Sequence, residues 1–245
     1  MNAPLHPIAW LQMSPPPADP VEDAAWCALL LPVLQAAVDR GARDADAETT
    51  ARLVAAAHER LAAWPAATAS PARIECLLAV TMLHHHAARP DRAVAAARVA
   101  VDTARARGER NLLRKSLAFF GVTSLEDGDL LAALDGHSEA LALARSLGDA
   151  AAKSACWNNL GLALKTAAQY RDAMLCFERA VAVAPRTPEA LQPRRAALNN
   201  LASCAVHLRD VAGGLSAAWE AIRLNPDPQT AGDCLSRAIA ESNHV

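Results

Sequence analysis

The stretch that decides the fold is CWNNLGLALK, residues 156–165, which is followed by QYRDAMLCFERAVAVAP at 169–185. Both segments have helical patterns, yet the first contains a Trp, two Asn and a Gly, which form helices less readily than Ala. Residues of this kind within an Ala-rich helix indicate either a packing contact or a ligand contact. Distinguishing the two requires the rest of the chain.

The pattern recurs along the chain at a fixed step. SLAFFGVTSL at 116–125 and LNNLASCAVH at 198–207 align with residues 156–165, and the helical segments that follow them align with 169–185. A fixed period of this length is typical of repeat proteins built from helix pairs. Two series of matched small residues recur at nearly equal steps: Ala93, Ala133, Ala173 and Gly214, and Ala100, Ala140, Ala180 and Ala221.

The composition predicts an all-α protein. Ala accounts for 60 of the 245 residues and aromatic residues for only 4%, which favours closely packed helices over a β-sandwich. The formal net charge is -2, with 20% charged residues, so no strong field attracts nucleic acid or an anionic membrane. We therefore expect partners to be neither nucleic acid nor membrane.

The N-terminal segment and the cysteines indicate the cellular compartment of the protein. Residues 1–20 end in SPPPADP and are predicted to be a disordered tail. The segment lacks the features of a signal peptide, and no later stretch is expected to be long and apolar enough to span a bilayer. The six cysteines are spread singly, as in proteins of a reducing compartment. The prediction is a cytoplasmic protein.

One repeat resembles a known family, the tetratricopeptide repeat, whose signature is W-x2-L-G-x2-Y, then A-x3-F, A and P. The first helix carries the first part of the signature, with Leu164 in place of Tyr. Within this pattern Gly161 is predicted to allow the close approach of a neighbouring helix, and Trp157 to fill the gap between helices. The step of about 40 residues exceeds the usual period of about 34, as in the longer-helix repeats of kinesin light chain and bacterial signalling regulators. The resemblance implies a right-handed α-solenoid of antiparallel helix pairs. The matching residues are Trp157, Leu160, Gly161, Leu164, Ala173, Phe177, Ala180 and Pro185.

The repeats predict the organisation of the rest of the chain. A degenerate helix pair is expected at 21–73, with helices at 21–39 and 47–63, the first kinked or divided at Pro32. The repeat array is expected at 74–228, with repeats that start near 74, 114, 154 and 195. A capping helix at about 229–241, followed by a short tail to 245, is expected to cover the last repeat.

The sequence gives no support to catalysis. His84, His85 and His86 are adjacent on a helix, about 100° apart, and cannot converge on one ion. HExxH, GxSxG, Walker and GxGxxG patterns do not occur in the 245 residues. We therefore predict neither enzyme activity, nor a metal site, nor a cofactor.

The Asn pairs are the first candidate binding site. Asn158-Asn159 recurs as Asn199-Asn200, each pair just before the Leu that packs in its repeat. The resemblance implies that Asn159 and Asn200 line the concave groove and bind the main chain of an extended peptide, with Asn158 and Asn199 at the groove or its edge. The alternative is that these residues bond between adjacent first helices and stiffen the stack. Earlier repeats have Ala79 and Phe119 at this place, which predicts an apolar end of the groove.

Basic residues are the second candidate feature. Lys115, Lys165 and Arg195 lie near the starts or inner faces of first helices and would suit an acidic peptide. The alternative is a solvated charge pattern at helix ends. Salt-dependent binding distinguishes the two.

The function that these features favour is a non-catalytic scaffold that binds a protein or peptide segment in its groove. One alternative is a sensory or regulatory module of a larger bacterial signalling protein, such as a diguanylate cyclase or a transcription regulator, of which this chain is a fragment. Another is a scaffold that associates with itself as a homodimer.

Overall fold

The computed structural model describes residues 17–40 and 47–224. These residues form α-helices joined by short connections, and no strand occurs among them, which confirms the all-α prediction. Short 3-10 turns lie at Ala66–Thr68 and Pro188–Ala190. The helices are α1 Pro20–Arg40, α2 Ala47–Ala63, α3 Pro71–His86, α4 Pro90–Arg107, α5 Arg110–Glu126, α6 Leu130–Ser146, α7 Ala150–Thr166, α8 Tyr170–Val183, α9 Leu191–His207 and α10 Val211–Arg223.

The chain divides into two compact units, Met1–Asp129 and Leu130–Val245. Within the first unit, α3 packs against α1, α2 and α4, and α4 packs against α5. Within the second, each helix packs against the next along the chain from α6 to α10. This sequential packing is the arrangement expected of stacked helix pairs.

The core of the first unit is aliphatic. Leu30 and Leu34 of α1 and Leu77 of α3 are almost completely buried. They recur at helical spacing, so each helix turns one apolar face inward. The buried cluster also includes Cys27, Ala37, Leu53, Val54, Ala57, Leu61, Ile74, Cys76 and Val80.

A buried ion pair joins α1 to α3. Asp23 and Arg73 are 0% and 1% exposed, and Arg73 Nε donates to Asp23 Oδ1 at 2.7 Å. The second carboxylate oxygen accepts from the backbone N–H and the hydroxyl of Ser70, both at 2.6 Å. The guanidinium also donates to the carbonyls of Trp64 and Pro65, at 3.2 and 2.9 Å. The start of α1 is therefore fixed to the connection before α3.

α1 departs from the sequence predictions in two respects. It is one continuous helix with Pro32 inside it, so the alternative of a helix divided at Pro32 was wrong. By length and composition, Pro20–Asp39 is also apolar enough to cross a membrane, so the prediction that no stretch has this property was wrong. In the fold, however, the buried face of α1 contributes Cys27, Leu30 and Leu34 to the core.

The helix ends follow from local chemistry. Gly108, Gly128 and Gly148 follow helices with φ of 68°, 90° and 71°, the left-handed backbone that glycine adopts without strain. Asp149 caps α7 by accepting from the N–H of Ala152 at 2.8 Å. Asp91 lies inside the first turn of α4, because Pro90 begins that helix.

The repeat starts expected near 74, 114, 154 and 195 lie three or four residues inside helices. The helices begin earlier than the sequence suggested, at Pro71, Arg110, Ala150 and Leu191. Ser70 explains the first of these starts, since its side chain accepts from the N–H of Arg73. Most of the N-terminal tail and the capping helix predicted at 229–241 lie outside the described residues.

In the second unit, α7 and α8 approach closely where the sequence has Gly161. A Cβ built on Gly161 would lie 2.6 Å from Cε1 of Phe177, a ring that is 0% exposed. Trp157, one turn earlier, has two guanidinium groups over its ring, with Arg145 5.3 Å and Arg179 4.8 Å from the ring centroid. Gly161 and Trp157 thus have the packing roles that the repeat pattern predicts.

Two buried histidines make stability depend on pH. Burial lowers the pKa of His84 and of His137 from 6.5 to about 4, with His58 and Arg92 adding to the effect at His84. The folded state keeps both rings neutral, whereas the unfolded chain takes up protons below 6.5. Stability is therefore fully present above pH 6.5 and is lost as the pH falls from 6.5 to about 4.

At pH 5 we expect each of these histidines to reduce the free energy of unfolding by about 2 kcal/mol relative to pH 7.5. Urea unfolding at the two pH values measures this difference. His84→Leu and His137→Leu should each make the difference smaller, while His86→Leu, at an exposed neighbour of His84, should leave it unchanged. Equal pH dependence in all three variants would contradict the assignment.

Candidate functional site

The first unit contains an open cleft of about 530 Å³ between α1, α3 and α5. Its floor is apolar and contains the ring of Phe119, which is half-buried. The volume lies within the range of about 300–1,000 Å³ that is usual for ligand sites. The other apolar residues that line it are Leu31, Val38, Leu78, Ala79 and Met82.

The rim of the cleft carries both signs of charge. Asp39 and Glu75 contribute carboxylates, and Arg114 and Lys115 contribute cations. Lys115 is exposed, while Arg114 is half-buried and donates to the side chain of Asn111 at 3.1 Å. An apolar floor beside separated charges can hold an apolar side chain and orient a charged neighbour.

The repeat register explains why the cleft is apolar. Ala79 and Phe119 stand two repeat steps and one repeat step before Asn159, and they therefore occupy the same place in their repeats. The sequence predicted an apolar end of the groove from these two residues, and both line the cleft. Lys115 is the one predicted site residue that lines it as well.

Three of the four predicted Asn residues form one network in the second unit. Asn200 Nδ2 donates to Asn158 Oδ1 at 3.0 Å, and Asn158 Nδ2 donates to Asn159 Oδ1 at 3.5 Å. The first bond joins α9 to α7, which is the kind of contact that the stiffening alternative requires. All four Asn side chains are half-buried, so each keeps some exposed surface. A role in binding stays a prediction for Asn158, Asn159, Asn199 and Asn200.

The predicted cations of the second unit contact polar groups there. Lys165 Nζ donates to Ser203 Oγ at 2.8 Å and so forms another link between α7 and α9. Arg195 donates to Gln192 Oε1 at 2.7 Å within α9. The predicted binding residues therefore divide between the two units, with Lys115 in the first and the others in the second.

Sequence reasoning missed the part of the cleft that α1 contributes. Leu31, Gln35, Val38 and Asp39 line it, but α1 does not align with the later repeats, so no register assigned them a place. Glu75 could have been found, because it stands one repeat step before Lys115. In residues 17–40 and 47–224, no group of three or more His, Cys, Asp or Glu is arranged to hold a metal ion.

Residues 114–186 match the family model described as the tetratricopeptide repeat. This segment contains tetratricopeptide repeats. These repeats generally mediate protein–protein interaction, and families with this fold are generally non-catalytic scaffolds. The matched segment includes Lys115, Phe119 and the Asn158-Asn159 pair. A search of curated proteins found no match.

Solved structures with similar folds are also repeat proteins. BtubC (BKLC) from P. vanneervenii is 16% identical, with a TM-score of 0.64 over 90% of this chain and 93% of that one. A second structure, from Podospora anserina, is described as putative kinesin light chain nearly identical TPR-like repeats. Its sequence is 14% identical to this chain, with a TM-score of 0.58 over 86% of this chain and 93% of that one. These likenesses show that the tetratricopeptide-repeat fold is shared.

A third similar structure is aspartyl phosphate phosphatase F from Bacillus subtilis. It is 16% identical, with a TM-score of 0.64, and the alignment covers 79% of this chain. The chain spans only 51% of the length of that protein. The likeness concerns the fold of the repeats and not the activity that the name describes.

Proposed function

We propose that this chain is a non-catalytic module that binds a protein segment in the cleft of its first unit. The observation that supports the proposal is the combination of an apolar floor around Phe119 with a charged rim. The occupant is a segment with an apolar anchor residue next to an acidic residue. The anchor contacts Phe119 and Met82, and the acidic group faces Lys115 and Arg114.

Complementary charge supports this choice of partner. Lys115 is exposed at the rim and Arg114 lies beside it, so a carboxylate next to the anchor gains charge-assisted hydrogen bonds. Asp39 and Glu75 then favour a basic residue elsewhere in the same segment and disfavour a wholly acidic one. The Asn network and Lys165 are a second proposed contact in the other unit, as the sequence predicts.

A displayed random-peptide library, selected on the whole chain, tests the cleft. We expect selected peptides to share an apolar residue next to Asp or Glu, and their binding to weaken as salt is raised. Phe119→Asp should abolish binding, because it places an unpaired charge on the apolar floor. Lys115→Glu should weaken binding about tenfold or more through repulsion of the acidic residue.

Controls separate the cleft from other surfaces. Leu175→Asp changes an exposed leucine of the second unit, 52% exposed, and should leave binding unchanged. The binding of the same peptides to the double variant Asn159→Ala, Asn200→Ala measures how much the Asn network contributes to binding. Binding that survives Phe119→Asp, or peptides without an apolar anchor, would refute the cleft as the site.

The two alternative functions stay predictions. Membership of a larger signalling protein depends on whether the reading frame continues beyond residue 245. Self-association depends on whether the mass measured by light scattering rises with concentration.

A further inference from the structure

Three cations surround Trp157 in the second unit. The guanidinium carbons of Arg145 and Arg179 lie 5.3 and 4.8 Å from the centroid of its ring, so they are no farther apart than these distances added together, about 10 Å. Lys153 stands one turn before Trp157 on α7 and shares a face of that helix with the ring. Both arginines are exposed and Lys153 is half-buried. We call Arg145, Lys153 and Arg179 the cation cluster.

The repeat register indicates that Lys153 and Arg179 are within reach of each other. The equivalent residues, 41 positions further along the chain, are Arg194 and Glu220. These two form an ion pair, with Nη2 of Arg194 2.8 Å from Oε1 of Glu220. Arg179 thus stands where the next repeat has a glutamate. Two places that carry opposite charges in the last repeat both carry a positive charge beside Trp157.

Among the residues that the structure describes, no carboxylate forms an ion pair with the cation cluster. Like charges that are close together repel each other, and a bound anion removes this repulsion and stabilises the folded state. A guanidinium that lies over an aromatic ring also keeps the N–H groups at its edge free to donate. Arg145 and Arg179 therefore present two sets of N–H donors to an anion.

We propose that the cation cluster binds the phosphate of a phosphorylated side chain in a partner protein. A carboxylate has two oxygens and one charge, so a single guanidinium satisfies it. A phosphate monoester has three terminal oxygens and about 1.5 to 2 negative charges at pH 7, so it accepts from both guanidinium groups at once. Lys153 adds a third cation as a point charge.

The fold favours a phosphate that is part of a protein over the free ion. Tetratricopeptide repeats generally mediate protein–protein interaction, and exposed cations on neighbouring helices are accessible to a segment of another chain. The site is independent of the cleft, because all of its residues belong to the second unit.

Peptides with one phosphoserine test the proposal on the whole chain. A synthetic pool with phosphoserine at the centre of random sequence is captured by the protein, and fluorescence anisotropy measures the affinity of the best binder. We expect its serine form to bind at least about tenfold more weakly, because it lacks the anion. A glutamate form should also bind several-fold more weakly, since it has one charge and two oxygens. Raised salt should weaken the phosphopeptide.

Arg179→Glu is the decisive variant. It introduces the residue that the next repeat has at this place, so with Lys153 it should form the ion pair that Arg194 forms with Glu220. The unfolding transition should therefore lie at the same denaturant concentration as in the wild type or higher. Phosphopeptide binding should fall about 100-fold or more, because a donor group is replaced by a repelling charge. Arg145→Met should weaken binding about tenfold.

The matched control is Arg98→Met in the first unit. Arg98 is exposed and lies 5.4 Å from the ring centroid of Phe120, so this variant removes the same charge and a ring contact of the same kind. It should leave phosphopeptide binding unchanged. Phe119→Asp should leave it unchanged as well, which separates a failure of this site from a failure of the cleft.

Three results would each overturn the proposal. One is equal affinity for the serine or glutamate form and the phosphoserine form of the selected peptide. Another is unchanged phosphopeptide binding in Arg179→Glu. The third is competition by inorganic phosphate with the same affinity as the peptide, because that result assigns the cation cluster to the free ion.

Discussion

Asp23→Ala is expected to lower the free energy of unfolding by about 3–5 kcal/mol, among the largest effects of any single substitution in the chain. Removing the carboxylate leaves the guanidinium of Arg73 buried, 1% exposed, without its anionic partner. It also leaves the N–H and hydroxyl of Ser70 without their acceptor. Denaturant unfolding followed by far-UV circular dichroism measures the loss.

Two comparisons isolate the buried charge as the cause. Asp39→Ala removes an exposed carboxylate from the same helix and should change stability by no more than about 0.5 kcal/mol. Replacing Asp23 by Leu and Arg73 by Met together removes both charges and should cost less than Asp23→Ala alone. If Asp23→Ala and Asp39→Ala unfold at the same denaturant concentration, the ion pair does not anchor α1.

This ion pair also marks a limit of what the sequence could predict. Asp23 and Arg73 are 50 residues apart, and neither the apolar periodicity nor the repeat register assigned a partner to them. Only the packing of α1 on α3 brings them together. The same packing brings Leu31 and Val38 to the cleft, so α1 contributed to both features that sequence reasoning did not find.

The repeat register, by contrast, predicted features of the later helices in detail. It assigned Gly161 to a close approach and placed Ala79 and Phe119 in an apolar part of the groove, because a fixed step transfers the environment of one residue to its equivalents. The register carried no information on hydrogen-bond partners. It marked Asn159 and Asn200 as equivalent, whereas the bond between α7 and α9 joins Asn200 to Asn158. The register could not tell which of the two neighbouring Asn residues of α7 bonds to Asn200, because that depends on how one helix is rotated relative to the other.

Phe177→Ala is expected to have the second large effect and to lower the free energy of unfolding by about 3–5 kcal/mol. The ring is 0% exposed and packs with Ala173 and Cys204, so its removal leaves a cavity between α8 and its neighbours. Denaturant unfolding measures the loss, and Leu175→Ala, at an exposed position two residues earlier, is the matched control. An equal loss in the two variants would contradict the packing role of Phe177.

The contact between Gly161 and Phe177 makes the two positions interdependent. A Cβ at position 161 would lie 2.6 to 2.8 Å from three atoms of the ring, so Gly161→Ala alone should cost about 1–3 kcal/mol through overpacking. Phe177→Leu removes two of these three ring atoms, Cε1 and Cζ, and so relieves most of the contact with the added methyl group. The double variant should therefore lose less stability than the two single variants added together. Additive losses would show that the need for glycine at 161 arises from something other than the Phe177 ring, since two substitutions that do not share a contact act independently.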